Sequence, residues 1–135
     1  MSSTIVIADA SPLIALARIE HLHLLQNLFG QVKITEIIKL EIVSNRAFAE
    51  VALLQAALDA GWLQVCQPDL GEMAKTELIG LAEGLDPGEK SAIQWASSLK
   101  SAGEAIILII DEAKGRKVAR RLSLDILGLC TRQFA

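Results

Sequence analysis

Tyrosine is absent and aromatic residues are scarce, two Trp and three Phe in 135 residues. Recognition of single strands by stacking bases on rings needs more of them, so any nucleic acid would be held by its backbone and shape. Cysteine is nearly missing: Cys66 and Cys130 lie far apart and form no CxxC pair. That excludes a disulfide framework and a thiolate zinc site, and fits small buried hydrophobes in a reducing compartment. The two histidines, His21 and His23, are i, i+2; on a helix they point apart and are expected at the surface. Imidazole therefore supplies no metal cluster. No apolar run reaches the roughly 18–20 residues of a membrane span, and MSSTIVIADAS lacks the basic start of a signal peptide. The expectation is a cytoplasmic protein without membrane contact. Excess positive charge is missing too: the net charge is −3, so the field of the whole molecule does not favour nucleic acid.

What is present is apolar. Just over half the residues are hydrophobic and the mean hydropathy is +0.41. One domain spanning residues 1–135 can build a core of ordinary size, and the surplus apolar surface points to a dimer or partner interface. The strongest local signal is Ala105 to Ile110, an unbroken β-branched run too short for a helix, which fits a strand buried on both faces of a parallel sheet. It ends at Asp111. A carboxylate at the C-terminal end of such a strand sits where open α/β sheets bind ligands.

The other elements follow in order. Thr4 to Ala8 reads as a strand ending at Asp9, and Ser11-Pro12 as an N-cap and first helical residue of a helix to about Arg18. His21 to Phe29 reads as a helix closed by Gly30, Val32 to Ile34 as a strand, and Thr35 as the cap of a helix to about Ser44. Ala47 to Ala60 is helical by spacing and stopped by Gly61; Leu63 to Cys66 is a strand. A glycine-interrupted helix is expected from Asp69 to about Leu85, another from Asp86-Pro87-Gly88-Glu89 to near Lys100, and a last strand at Leu124 to Leu127. Strands alternating with helices predict a parallel α/β sandwich.

Four acids stand out. Asp9 and Asp111 each end a strand, and meet at one sheet edge if those strands are neighbours. Taken singly, Asp9 can make an Asx turn and Asp111 can cap the next helix. Glu41 lies i+4 from Ile37 and i+3 from Ile38 on a helix whose apolar face is Ile34, Ile37, Ile38 and Ile42, with Glu36 and Lys39 outward. A buried carboxylate there needs a cation, a hydrogen-bond network or a raised pKa; the alternative is a helix-end glutamate bending to water. Glu89 heads the stripe Ala92, Ile93, Ala96, yet Asp86 and Glu89 also have the D-x-x-E spacing of a capping box, and both roles can hold. Two unit charges 4 Å apart repel by about 4 kcal/mol at an effective dielectric near 20. Acids converging in one pocket therefore call for Mg²⁺ or Mn²⁺, the hard ions that oxygen ligands suit. Such carboxylate-bound ions recur in phosphodiester hydrolysis.

A basic segment follows Asp111. Val118, Ala119 and Leu122 form its expected inner face, leaving Arg116, Lys117, Arg120 and Arg121 outward. They are either a solvated face or, directly after an acidic site, contacts for phosphates.

These pieces resemble the PIN-domain ribonucleases, particularly the short prokaryotic PIN-like proteins related to VapC-type toxins. The resemblance is carried by IVIADASPLIALARI (Ile5 to Ile19), ITEIIKLEIV (Ile34 to Val43), LDPGEKSAI (Leu85 to Ile93) and LIIDEAKGRKVAR (Leu108 to Arg120), in the family's order. It implies a three-layer α/β/α fold, a parallel sheet flanked by helices on both faces. It implies an acidic quartet, Asp9, Glu41, Glu89 and Asp111, holding Mg²⁺ or Mn²⁺, with Ser11 as the hydroxyl residue two after the first Asp and Glu112 as an extra or substitute ligand. The activity implied is RNA cleavage, with a cognate antitoxin protein as partner. Two features depart from the family: Thr35 stands where relatives commonly have proline, and the chain ends at GLCTRQFA where relatives continue into further helices. A clipped C-terminus would expose apolar surface, weaken the fold or force homodimerisation, while leaving the acidic positions intact.

The reading is thus a toxin-like, metal-dependent endoribonuclease. The alternative is a catalytically weak or inactive interaction module that binds a protein or RNA. A phosphotransfer domain using Asp9 as nucleophile is disfavoured by Asp9-Ala10-Ser11, which lacks the paired acid such sites use.

Overall fold

The computed structural model describes residues 4–44, 48–68 and 84–128. The expected helix from Asp69 falls outside these residues save for Gly84 and Leu85, which are not helical, and Cys130 falls outside them too. The elements are β1 (Ile5–Ala8), α1 (Ala10–Arg18), α2 (His23–Phe29), β2 (Val32–Thr35), α3 (Glu36–Ser44), α4 (Phe48–Ala60), β3 (Leu63–Cys66), α5 (Pro87–Ser101), β4 (Ile106–Ile109), α6 (Ala113–Arg121) and β5 (Ile126–Leu127). The strands form one parallel sheet in the order β3-β2-β1-β4-β5, flanked by helices in an α/β/α arrangement.

That order places β1 beside both β2 and β4, so the chain winds outward in opposite directions from β1. The crevice at the C-terminal ends of β1 and β4 is the switch point where doubly wound sheets bind ligands. The two strands bordering it are the most apolar segments of the chain. Val6, Ile7, Ala8, Ile106, Leu108 and Ile109 are all buried, as continuous runs in a covered parallel sheet should be. Helix α5 packs across β1, β2 and β4 and against α3. Among the described residues no helix is long and apolar enough to cross a membrane.

Several local details differ from expectation. Helix α1 begins at Ala10 with Asp9 in the cap position, so Ser11 lies in the first turn and does not cap it. Pro12 is tolerated because first-turn amides have no intrahelical acceptor. Helix α2 begins at His23 and not at His21: Glu20 takes a left-handed φ of 58° and the His21 amide still bonds the Leu16 carbonyl of α1. His21 and His23 consequently do not point apart; their rings stack 6.0 Å apart, though both are exposed. On α3 only Ile38 and Ile42 are buried, and Ile37 is 45% exposed. Ile34 is buried from β2 and not from the helix, so Ile38 and Ile42, four apart, make a narrow buried stripe, and Ile37, Leu40 and Val43 form a second apolar stripe facing out. Glu36 and Lys39 are half-buried rather than outward.

Candidate metal centre

The crevice takes its first acid from β1. Ala8 is level with Ile109 across the β1–β4 pair, and the Asp9 amide donates to the Ile109 carbonyl at 2.9 Å. Asp9 is 2% exposed, and its side chain does not cap α1. Continuing the register by one residue sets Asp9 level with Ile110. Strand β4 ends at Ile109, and Ile110, Asp111 and Glu112 lead from it into α6, with Glu112 in the cap position.

The next acids come from the start of α5. The Asp86 carboxylate accepts a hydrogen bond from the Glu89 amide at 2.7 Å, and Glu89 Oε1 accepts one from the Asp86 amide at 3.4 Å. With Pro87 in the first turn this is a full capping box. The cap uses one oxygen of Glu89. The other, Oε2, is buried and has no hydrogen-bond partner, and the residue is 2% exposed. Glu112, in the cap position of α6, makes no side-chain cap either. Carboxylate oxygens of Asp86, Glu89 and Glu112 lie within 4.8 Å of one another, the one such acidic group among the described residues.

Two glycines make room for these carboxylates. A Cβ on Gly88 would collide with Glu41 Oε2, and one on Gly115 would stand 2.6 Å from Glu89 Oε2 and 2.5 Å from Ile110 Cδ1. Both glycines are buried. Gly115→Ala should therefore displace Glu89 or Ile110, lowering stability by about 1–3 kcal/mol as overpacking does. Urea unfolding and a Mn²⁺ titration would check this, with weaker ion binding accompanying the loss.

The electrostatics join the pieces. Burial pushes the Asp9 carboxyl up from 3.8 to about 7, helped by repulsion from Asp86, Glu41 and Glu112 and opposed by the Ala10 amide. Burial likewise pushes Glu89 up from 4.5 to about 8, opposed by its bond to the Asp86 amide and helped by Asp86, Glu112 and Asp9. Asp9, Glu41, Asp86, Glu89 and Glu112 thus share one field, and Asp86 is the strongest repelling neighbour of both buried acids. A buried unpartnered oxygen within an all-carboxylate donor set fits a hard divalent cation of the Mg²⁺ or Mn²⁺ kind.

The PIN-domain family model matches residues 5–131. The chain belongs to the PIN-domain family. Among curated proteins none matches the chain. The family match covers both strands of the switch point and every acid named above, and it accords with the nuclease-type function and divalent-metal use general to PIN domains.

Of the four acids singled out in this PIN domain's sequence, the structure brings Asp9, Glu41 and Glu89 into one field. Of the four only Glu89 is in the close carboxylate group; Asp9 and Glu41 are joined to it by charge, while Asp111, half-buried, is not a member of it. Glu112, one residue later, is. Asp86 is in that group as well as capping α5, and its signal in the sequence is a D-x-x-E step leading into a core-facing helix. On α6, Lys117, Arg120 and Arg121 are exposed, but Arg116 is not outward. It is half-buried, its Nε lacks a hydrogen-bond partner, and its guanidinium lies against Gly128, where a Cβ would stand 3.3 Å from Cζ. The reason is position: Arg116 is adjacent to the buried Gly115, on the flank that α6 turns towards β5. Ser11 is half-buried, two residues after Asp9.

Proposed function

We propose that this PIN domain is a metal-dependent endoribonuclease hydrolysing RNA phosphodiester bonds, and that it is the toxin-like component of a toxin–antitoxin pair in the cytoplasm. The observation that carries the reading is Glu89 Oε2, buried and unpartnered among the carboxylates of Asp86 and Glu112 and in the field of Asp9. Asp9, Asp86, Glu89 and Glu112 would hold Mg²⁺ or Mn²⁺, with Glu41 binding directly or through water. The bound ion supplies activation of water and stabilisation of the leaving oxygen. Its closeness to Asp86 and Glu89 and its repulsion of both buried acids favour Glu112 for the place the family resemblance gave to Asp111.

The chain's own residues would do the rest. Asp9 and Glu89 supply buried carboxylates beside the half-buried Asp86 and the exposed Glu112, and the capping box holds Glu89 in one orientation. Lys117, Arg120 and Arg121 would bind phosphates by charge, which positions a substrate without reading its sequence. Arg116 and Ser11 would extend that surface towards the crevice.

The second reading, an interaction module, is favoured by the outward stripe Ile37, Leu40 and Val43, exposed at 45, 57 and 43%. Apolar surface of this kind marks a partner site when it is contiguous, and a second copy of the chain or an antitoxin would fit it. One assay separates the readings. The nuclease cleaves end-labelled RNA with Mn²⁺ or Mg²⁺ and stops in chelator. Glu112→Gln should then lower cleavage at least about tenfold more than Asp111→Asn, as expected when one acid binds the ion and the other does not. No metal-dependent cleavage, with a melting curve indifferent to Mn²⁺, would leave the interaction module.

A further inference from the structure

The strand that precedes Glu41 carries Thr35, and the helix that carries Glu89 carries Ser91. Both hydroxyl residues are buried, at 2 and 6% exposure, and their oxygens lie 2.7 Å apart. Their proton directions can be worked out. Ser91 Oγ donates its one proton to the Gly88 carbonyl at 2.7 Å. Thr35 must then be the donor to Ser91. Thr35 Oγ1 in turn accepts from the Ile38 amide at 3.2 Å, the bond of a helix N-cap. The chain runs from the Ile38 amide through Thr35 and Ser91 to the Gly88 carbonyl, with each hydroxyl satisfied as donor and acceptor.

Its two ends are the first turns of α3 and α5. Ile38 lies one turn before Glu41 on the same helix face. Gly88 precedes Glu89 and is the residue over whose Cα the Glu41 carboxylate rests. Ile38 Cγ1 also closes on Gly88, 3.4 Å from where a Cβ would be. A buried hydrogen bond has a narrow distance and angle, whereas apolar contact alone tolerates sliding. We propose that the Thr35–Ser91 hydroxyl relay sets the spacing between the Glu41 and Glu89 carboxylates, making Thr35 and Ser91 positioning residues for ion binding. This rests on the metal-centre reading.

The test is the affinity for Mn²⁺ alone, by calorimetric titration, in wild type, Thr35→Val, Thr35→Ser and Ser91→Ala. Valine keeps the shape of threonine and removes both bonds; serine keeps them. Thr35→Val and Ser91→Ala should each weaken Mn²⁺ binding by about 10-fold or more, the usual loss when a supporting partner of a ligand is removed. Thr35→Ser should stay within about threefold of wild type, since both hydroxyl bonds survive. A folded Thr35→Val protein that binds Mn²⁺ like wild type overturns the relay, as does equal weakening in the valine and serine variants. If Thr35→Val does not fold, Ser91→Ala decides, because it leaves the Ile38 cap in place. Wild-type protein that binds no Mn²⁺ overturns the metal reading itself, and the relay's role with it.

Discussion

Glu89→Gln is expected to fold at least as well as the wild type in chelator and to cleave RNA at less than about a hundredth of its rate. Two consequences of one substitution separate here. Glutamine serves a capping box as well as glutamate does, so the bond from the Asp86 amide and the start of α5 survive. The side chains are nearly equal in size, so packing against Gly115 is preserved. What disappears is a charge that burial and three acidic neighbours oppose. Above about pH 8, where the wild-type carboxyl ionises, the metal-free variant should melt higher than the wild type. Ion binding should fall in the opposite sense. Loss of a supporting residue alone typically weakens a metal site 10–100-fold, so losing an oxygen that has no other partner should lie at or beyond that range. Differential scanning fluorimetry with and without Mn²⁺, beside an RNA cleavage assay, reads both effects. Asp9→Asn should behave alike. A variant that keeps the Mn²⁺-induced rise and the cleavage would remove Glu89 from the centre.

The metal-free wild type should lose stability as the pH rises from about 4 to about 8. Asp9 goes from 3.8 unfolded to about 7 folded, and Glu89 from 4.5 to about 8. Between those values the folded state holds protons that the unfolded chain has released. Folding is therefore favoured most below the unfolded pKa, and that advantage is lost as the pH climbs through the folded one. Each unit is worth about 1.4 kcal/mol, so the Asp9 displacement alone amounts to about 4 kcal/mol across the window. Glu89 adds less than its own shift, because part of the repulsion is common to both. The melting temperature should fall on the order of 10 °C. Most proteins are at their most stable within this window, so the slope is distinctive. Mn²⁺ should reverse it, stabilising most at the alkaline end, where its ligands are already deprotonated and no protons need be released. A flat melting profile in chelator over this range would contradict the convergence of buried acids. Glu89→Gln should keep only the Asp9 part of the slope.

Much of this was readable in one dimension because the signals are local and periodic. Ile5 to Ala8 and Ile106 to Ile109 announce themselves as doubly covered strands by apolar runs that no exposed strand would carry. Asp86 and Glu89 announce a helix start by a three-residue step, and Thr35 a cap by its hydroxyl; both bonds are made. Spacing alone misled where a turn or a narrow interface intervened. The His21–His23 step spans no helix because the helix starts only at His23, and Ile37 stands outside a buried face that takes only Ile38 and Ile42.

The amino-acid order by itself determined the alternation of strand and helix, the buried middle of the sheet, and which acids end a strand or open a helix. Only the tertiary structure decided which of them share a crevice. That depends on β1 lying next to β4 and on Ala8 being level with Ile109, a pairing across a hundred residues that no local period encodes. A shift of one residue in that register would turn the alternating side chains of β4 over and carry Asp111 and Glu112 away from their present places relative to Asp9. Burial and, after it, the repulsion of neighbouring acids both depend on what packs around a side chain, so the raised pKa values of Asp9 and Glu89 belong to that three-dimensional arrangement and to no single stretch of the chain.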